Sequence, residues 1–132
     1  MRFVIMAAAL AACLALPADA QQFRSHNGHR VIAETPRTFS VPFQGYSDDH
    51  EFWCAASDYV RRGLGLPGRT PIFLLTELPR KRGLGLRFSL DPEGAVARTG
   101  VTTHGGAGPK NSVSATSANS LCPDLFPDGD RF

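Results

Sequence analysis

The feature that most constrains this 132-residue chain is its first twenty residues, because they set the redox compartment in which the rest must fold. Met1–Ala20 has the form of a bacterial export signal. Arg2 gives a positive start, Phe3 to Leu16 form an apolar stretch, and Ala18-Asp19-Ala20 places small residues at a cleavage site before Gln21. Leu10-Ala11-Ala12-Cys13 supplies a rival reading, a lipobox in which Cys13 becomes a lipidated N-terminus. With cleavage after Ala20, Cys54 and Cys122 are the two cysteines that remain. An even count in an oxidising compartment reads as one disulfide. Periplasm or secretion is the expected destination, with no membrane-spanning segment after cleavage.

Removing 20 residues from 132 leaves 112, enough for one small domain. At 42% hydrophobic and 20% charged, the chain carries too much apolar material for wholesale disorder, and a net charge of +2 selects no partner. Gln21 to Pro36 is polar and predicts a mobile arm, with a short strand beginning at Val31-Ile32; residues 37–132 then form the domain. Phe39, Val41 and Phe43 alternate with Thr38, Ser40 and Pro42, which predicts a half-buried strand. Pro42 cannot donate to a ladder, so that strand is expected at an edge.

The strongest helix signal runs from Ser47 to Arg62. Ser47 or Asp48 can cap it, acids fill the first turn, Arg61 and Arg62 fill the last, and Gly63 can take a left-handed stop. Phe52, Trp53, Ala56, Tyr59, Val60 and Leu64 share one side, the expected core face. Thr70 to Leu78 and Leu84 to Leu90 predict a strand pair joined by the loop Pro79-Arg80-Lys81-Arg82-Gly83. A further strand is expected within Ala95 to Thr103, and a short helix from Ala115 to Leu121 capped by Ser114. The fold class predicted is α+β: one long helix packed on a small antiparallel sheet, with a short C-terminal helix.

Cys54 falls on the helix side opposite the core face, with His50, Ser57, Asp58 and Arg61. Two readings of a cysteine there stand beside that of an inert thiol. It bonds Cys122 and straps the C-terminal segment across the polar side, or it is a nucleophile held by His50 one turn earlier. Cys54 to Pro67 resembles the cysteine-bearing helix of the NlpC/P60 peptidoglycan peptidases. That resemblance implies a cell-wall hydrolase with His104 as base, although no Asp precedes Cys54 and the cysteine sits inside the helix instead of at its start. Over Phe52 to Leu90 the chain also resembles a group of small exported alphaproteobacterial proteins of unknown function. The shared residues are Trp53-Cys54-Ala55-Ala56-Ser57-Asp58-Tyr59 and Phe88-Ser89-Leu90, and this likeness implies periplasmic location and a paired late cysteine.

Arg61, Arg62, Arg69, Arg80, Lys81, Arg82 and Arg87 crowd one stretch against Glu77 alone. Arg80, Lys81, Arg82 and Arg87 are therefore candidate contacts for an anionic surface polymer or lipid. Aromatic residues do not interleave with them as a single-strand binder needs, so no nucleic acid is expected. His26-x-x-His29 lacks a third ligand at the usual spacing, so no metal and no cofactor is expected. The reading that results is an exported, non-catalytic binding or accessory domain. Its alternatives are a cysteine hydrolase and an anion-binding module.

Overall fold

The computed structural model describes residues 22–45, 48–102, 108–109 and 111–123. The export signal, Cys13, Ser47, His104 and the tail from Asp124 lie outside the described residues. Six strands form one antiparallel sheet: β1 Gln22–Arg24, β2 Arg30–Ala33, β3 Thr38–Val41, β4 Pro71–Leu74, β5 Leu86–Ser89 and β6 Ser112–Ser114. Their spatial order is β1-β2-β3-β5-β4-β6. Strand β5 thus lies between β3 and β4, pairing Phe39 with Phe88 and Leu74 with Phe88.

Period-two alternation along each strand, carried through this register, assembles one apolar face from Val31, Phe39, Val41, Leu86, Phe88, Leu74, Ile72 and Val113, all within the core. Arg87, one residue out of phase, is exposed. The α+β class is as the sequence predicts, with two differences in the sheet. The segment expected as an arm carries β1 in addition to β2, which covers the strand expected at Val31-Ile32. The strand expected at an edge is interior, because Pro42 follows Val41, the last paired residue of β3, and so interrupts no ladder bond.

Helix α1 spans Asp49–Asp58. Asp48 caps it in a full capping box: its carboxylate accepts from the Glu51 amide at 3.0 Å, and its own amide donates to the Glu51 carboxylate at 3.2 Å. The expected single long helix is instead ten α-helical residues running into a five-residue π turn, Tyr59–Gly63. The wider turn brings the Leu64 amide to the Tyr59 carbonyl and the Leu66 amide to the Val60 carbonyl. The left-handed residue that ends the element is consequently Gly65, with φ +67°, and not Gly63.

Most of the predicted core face is buried: Phe52, Trp53, Ala56 and Val60 have no exposed surface and Tyr59 has 8%, while Leu64, beyond the π turn, is partly buried against them. Trp53 stands edge-on to Phe88 at 4.9 Å and donates through its indole nitrogen to the Thr99 carbonyl at 3.2 Å. That bond, with one from the Val96 amide to Leu74, ties down a segment expected as a strand; its described part, residues 95–102, is irregular.

Helix α2, Ala115–Asn119, begins where predicted, with the Ser114 hydroxyl accepting from the Ser117 amide at 3.1 Å. It packs on α1 through Ala115 and Ala118, both fully buried, and accepts a 2.7 Å bond from the Ser57 hydroxyl. The side of α1 expected to be wet is therefore dry along its middle: Cys54 and Ser57 have no exposed surface and Asp58 is buried, while His50 and Arg61 at its two ends stay exposed. Cys54 is bonded to Cys122, with Cα atoms 4.8 Å apart at a sequence separation of 68. Among the described residues no helix is long and apolar enough to cross a membrane.

Cross-linking across a loop of that length stabilises by about 4 kcal/mol in the chain-entropy account. Replacing Cys122 with Ser is expected to lower the unfolding free energy by about 2–5 kcal/mol in denaturant titrations. Alkylation of the unreduced protein followed by intact-mass measurement should leave both Cys54 and Cys122 unmodified.

Candidate functional site

The first candidate is built around the disulfide. The turn joining β1 and β2 is closed by backbone bonds between Ser25, Gly28 and His29 and is fastened onto α1. The His26 amide donates to Asp58 Oδ2 at 2.8 Å and the Asn27 side chain to the Glu51 carbonyl at 3.0 Å. This docking aligns three groups in a row. His26 Nδ1 lies 3.1 Å from Asp58 Oδ2, and His26 Nε2 lies 3.6 Å from Cys54 Sγ. His26 Nε2, Cys54 Sγ and Cys122 Sγ all fall within 4.8 Å of one another.

Burial opposes the charge of Asp58, but bonds from Arg62 and from the amide and imidazole of His26 outweigh it and hold the carboxyl below its ordinary range. Arg62 reaches it twice, at 3.0 and 2.8 Å, while lying over the Phe23 ring. The imidazole beside Cys54 is thus His26, not His50, which is exposed in the first turn of α1. No spacing signal marks His26, since 28 residues separate it from Cys54 and only the docked β1–β2 turn joins them. His29 serves other neighbours: its Nε2 is 3.6 Å from Glu51 and its ring stands edge-on to Phe52. While bonded to Cys122, the Cys54 sulfur carries no thiolate with which to attack a substrate.

The second candidate is a groove of about 640 Å³ beside the end of β3. Its apolar lining comes from Val41, Pro42, Phe43, Pro79, Leu84 and Leu86, with Lys81, Arg87 and Glu77 at its margin. Phe43 is 38% exposed and Leu84 55%, and these are the exposed large hydrophobic residues among those described. The groove floor depends on Gly85. A side chain there would run into the Val41 carbonyl and meet the Phe43 amide at 2.8 Å, so only glycine lets the two backbones approach so closely.

The four cations proposed from sequence divide by role. Arg80 is largely buried: it donates to Asp49 at 3.1 Å and to the Leu84 carbonyl at 2.9 Å, and it covers the Phe52 ring. It anchors the loop. Arg87 forks onto Glu34, the shortest contact being 2.6 Å, and that bond holds the Glu34 carboxyl below its usual range. Lys81 and Arg82 are exposed at the loop tip. No family model, curated protein or solved structure matches the chain.

The depressed carboxyls fix the direction of the acid response. Unfolded, Asp58 and Glu34 bind protons more tightly than in the native state, so their stabilisation is complete above about pH 4 and is lost as pH falls through the lower native values. Thermal scans from pH 6 down to pH 2 should show stability falling below about pH 4. Asp58→Asn should flatten that fall and, at neutral pH, lower stability by on the order of 1–3 kcal/mol.

Proposed function

We propose that this chain is an exported, non-catalytic binding domain that takes the apolar part of an anionic amphiphile, of lipid type, into the groove between β3 and the Arg80–Leu84 loop. One observation carries the reading: Phe43 and Leu84, the exposed large hydrophobic side chains among the described residues, line the same groove, and Lys81 stands at its edge. Exposed apolar side chains gathered in one place mark an interaction site, whereas scattered ones do not. The neighbouring ammonium and the Arg82 guanidinium at the loop tip suit a negatively charged headgroup. A disulfide as the staple of so small a domain supports an oxidising, extracytoplasmic setting.

Rigidity of the groove fits this role. Arg80 holds the loop to α1, and Gly85 holds its far end against β3, so the walls exist before a ligand arrives and little ordering entropy opposes binding. Co-sedimentation with vesicles tests the reading. Binding is expected to vesicles containing phosphatidylglycerol and not to pure phosphatidylcholine. Leu84→Ser should weaken it about tenfold through lost apolar burial. Lys81→Ser with Arg82→Ser should weaken it roughly tenfold or more and flatten its salt dependence. Equal retention on both lipids, or retention indifferent to Leu84, would reject the lipid. Binding of a soluble anionic polymer, independent of Leu84, would move the assignment to the polymer.

A further inference from the structure

We infer that His26, Cys54 and Cys122 form a redox-gated site for a borderline or soft d10 cation, Zn²⁺ or Cu⁺, which the disulfide closes and reduction opens. The donor set itself selects the ion. Two thiolates and one imidazole suit Zn²⁺ or Cu⁺ and disfavour Mg²⁺ and Ca²⁺, which take oxygen ligands.

The geometry of the imidazole fits that set. With Zn–N of about 2.0–2.1 Å and Zn–S of about 2.3 Å, the N···S edge of a tetrahedron is about 3.6 Å. The His26 Nε2 to Cys54 Sγ distance is 3.6 Å. His26 is also prepared electronically. Asp58 Oδ2, 3.1 Å from Nδ1, offers an acceptor to that nitrogen, while Nε2 on the other side of the ring faces the Cys54 sulfur. A carboxylate behind the imidazole is the arrangement that orients metal-ligating histidines and raises their basicity. The bonds from Arg62 and the His26 amide hold that carboxylate in place.

Cys54 is fully buried, whereas Cys122 is half-buried and the His26 side chain is 30% exposed, so two of the three ligands reach the surface of the described residues. The chemistry balances with a dithiol as reductant. Its two sulfurs pass two electrons and two protons to the Cys54–Cys122 bond, leaving two thiols on the protein and a disulfide on the donor. The cation then displaces both thiol protons to solvent as the two thiolates and His26 Nε2 bind it. Disulfide and metal compete for the same sulfur electrons, so the two states exclude each other.

The test uses the full chain reduced with a phosphine, which supplies no competing thiol, and titrated with Co²⁺ and then Zn²⁺ under anaerobic conditions. A sulfur-to-cobalt charge-transfer band and tetrahedral visible bands, saturating at one ion per chain and abolished by Zn²⁺, are expected. Zinc uptake should release two protons per ion. The unreduced protein should show neither. His26→Gln should weaken Co²⁺ binding at least about tenfold, and Asp58→Asn about tenfold. Absence of the band in the reduced chain overturns the proposal. Equal Co²⁺ affinity of His26→Gln and the unmodified chain also overturns it, because the dithiol is then chelating without the site, whether or not the reduced chain stays folded.

Discussion

The bond between Cys54 and Cys122 decides how much of α1 is interior. A single helix lying on a sheet normally keeps one side in water. Here the other side of α1 is covered by α2 and the turn after it, and the disulfide fixes the end of that cover. Two small side chains, Ala115 and Ala118, allow the close approach, and the Ser57 hydroxyl finds its partner in the Ala115 carbonyl. The domain thereby encloses a helix between two layers with very little chain, and burial that apolar area alone would not secure is secured by a covalent link.

Charge is distributed according to the same economy. Arg62, Arg80 and Arg87 belong to a run of cations that looks in sequence like a single basic patch, yet each has its own acid: Asp58 and Asp49 at the two ends of α1, and Glu34 in the turn after β2. The Arg62 pair lies within the helix, from which Arg62 also donates to the Arg24 carbonyl of β1; the other two join the long β4–β5 connection to α1 and β5 to the β2–β3 turn. Lys81 and Arg82 remain exposed beside the apolar groove. A stretch that sequence presents as one electrostatic object thus divides into paired arginines that fasten the fold and exposed cations, Arg61, Arg69, Lys81 and Arg82, at separate places.

How much was legible in the amino-acid order varies with the range of the interaction. The capping box at Asp48, the α1 core face, the Ser114 cap and the alternation in β5 rest on local periodicity and were readable. The cysteine pair was readable from compartment and count. What escaped is non-local. Strand β1 escaped because Gln22-Phe23-Arg24 looks polar; the turn that follows it is held to α1 through His26 and Asn27, and Arg62 reaches the Arg24 carbonyl, and none of those contacts leaves a spacing. The interior place of β3 follows from pairing with β5, more than forty positions away, which Pro42 obscured. Lys81 of the groove was legible as a cation, but its apolar walls needed the folded approach of Gly85 to Val41 and Phe43.

Among the described residues the outermost strands, β1 and β6, are three residues each. A sheet margin that short leaves few free amides and carbonyls in line, so a stray extended chain has too little template on which to add. The same brevity makes self-association by continued sheet, the first step toward fibrils, an unfavourable route for this domain even at high local concentration. The domain therefore meets the aggregation hazard of an open six-stranded sheet by keeping both of its margins short.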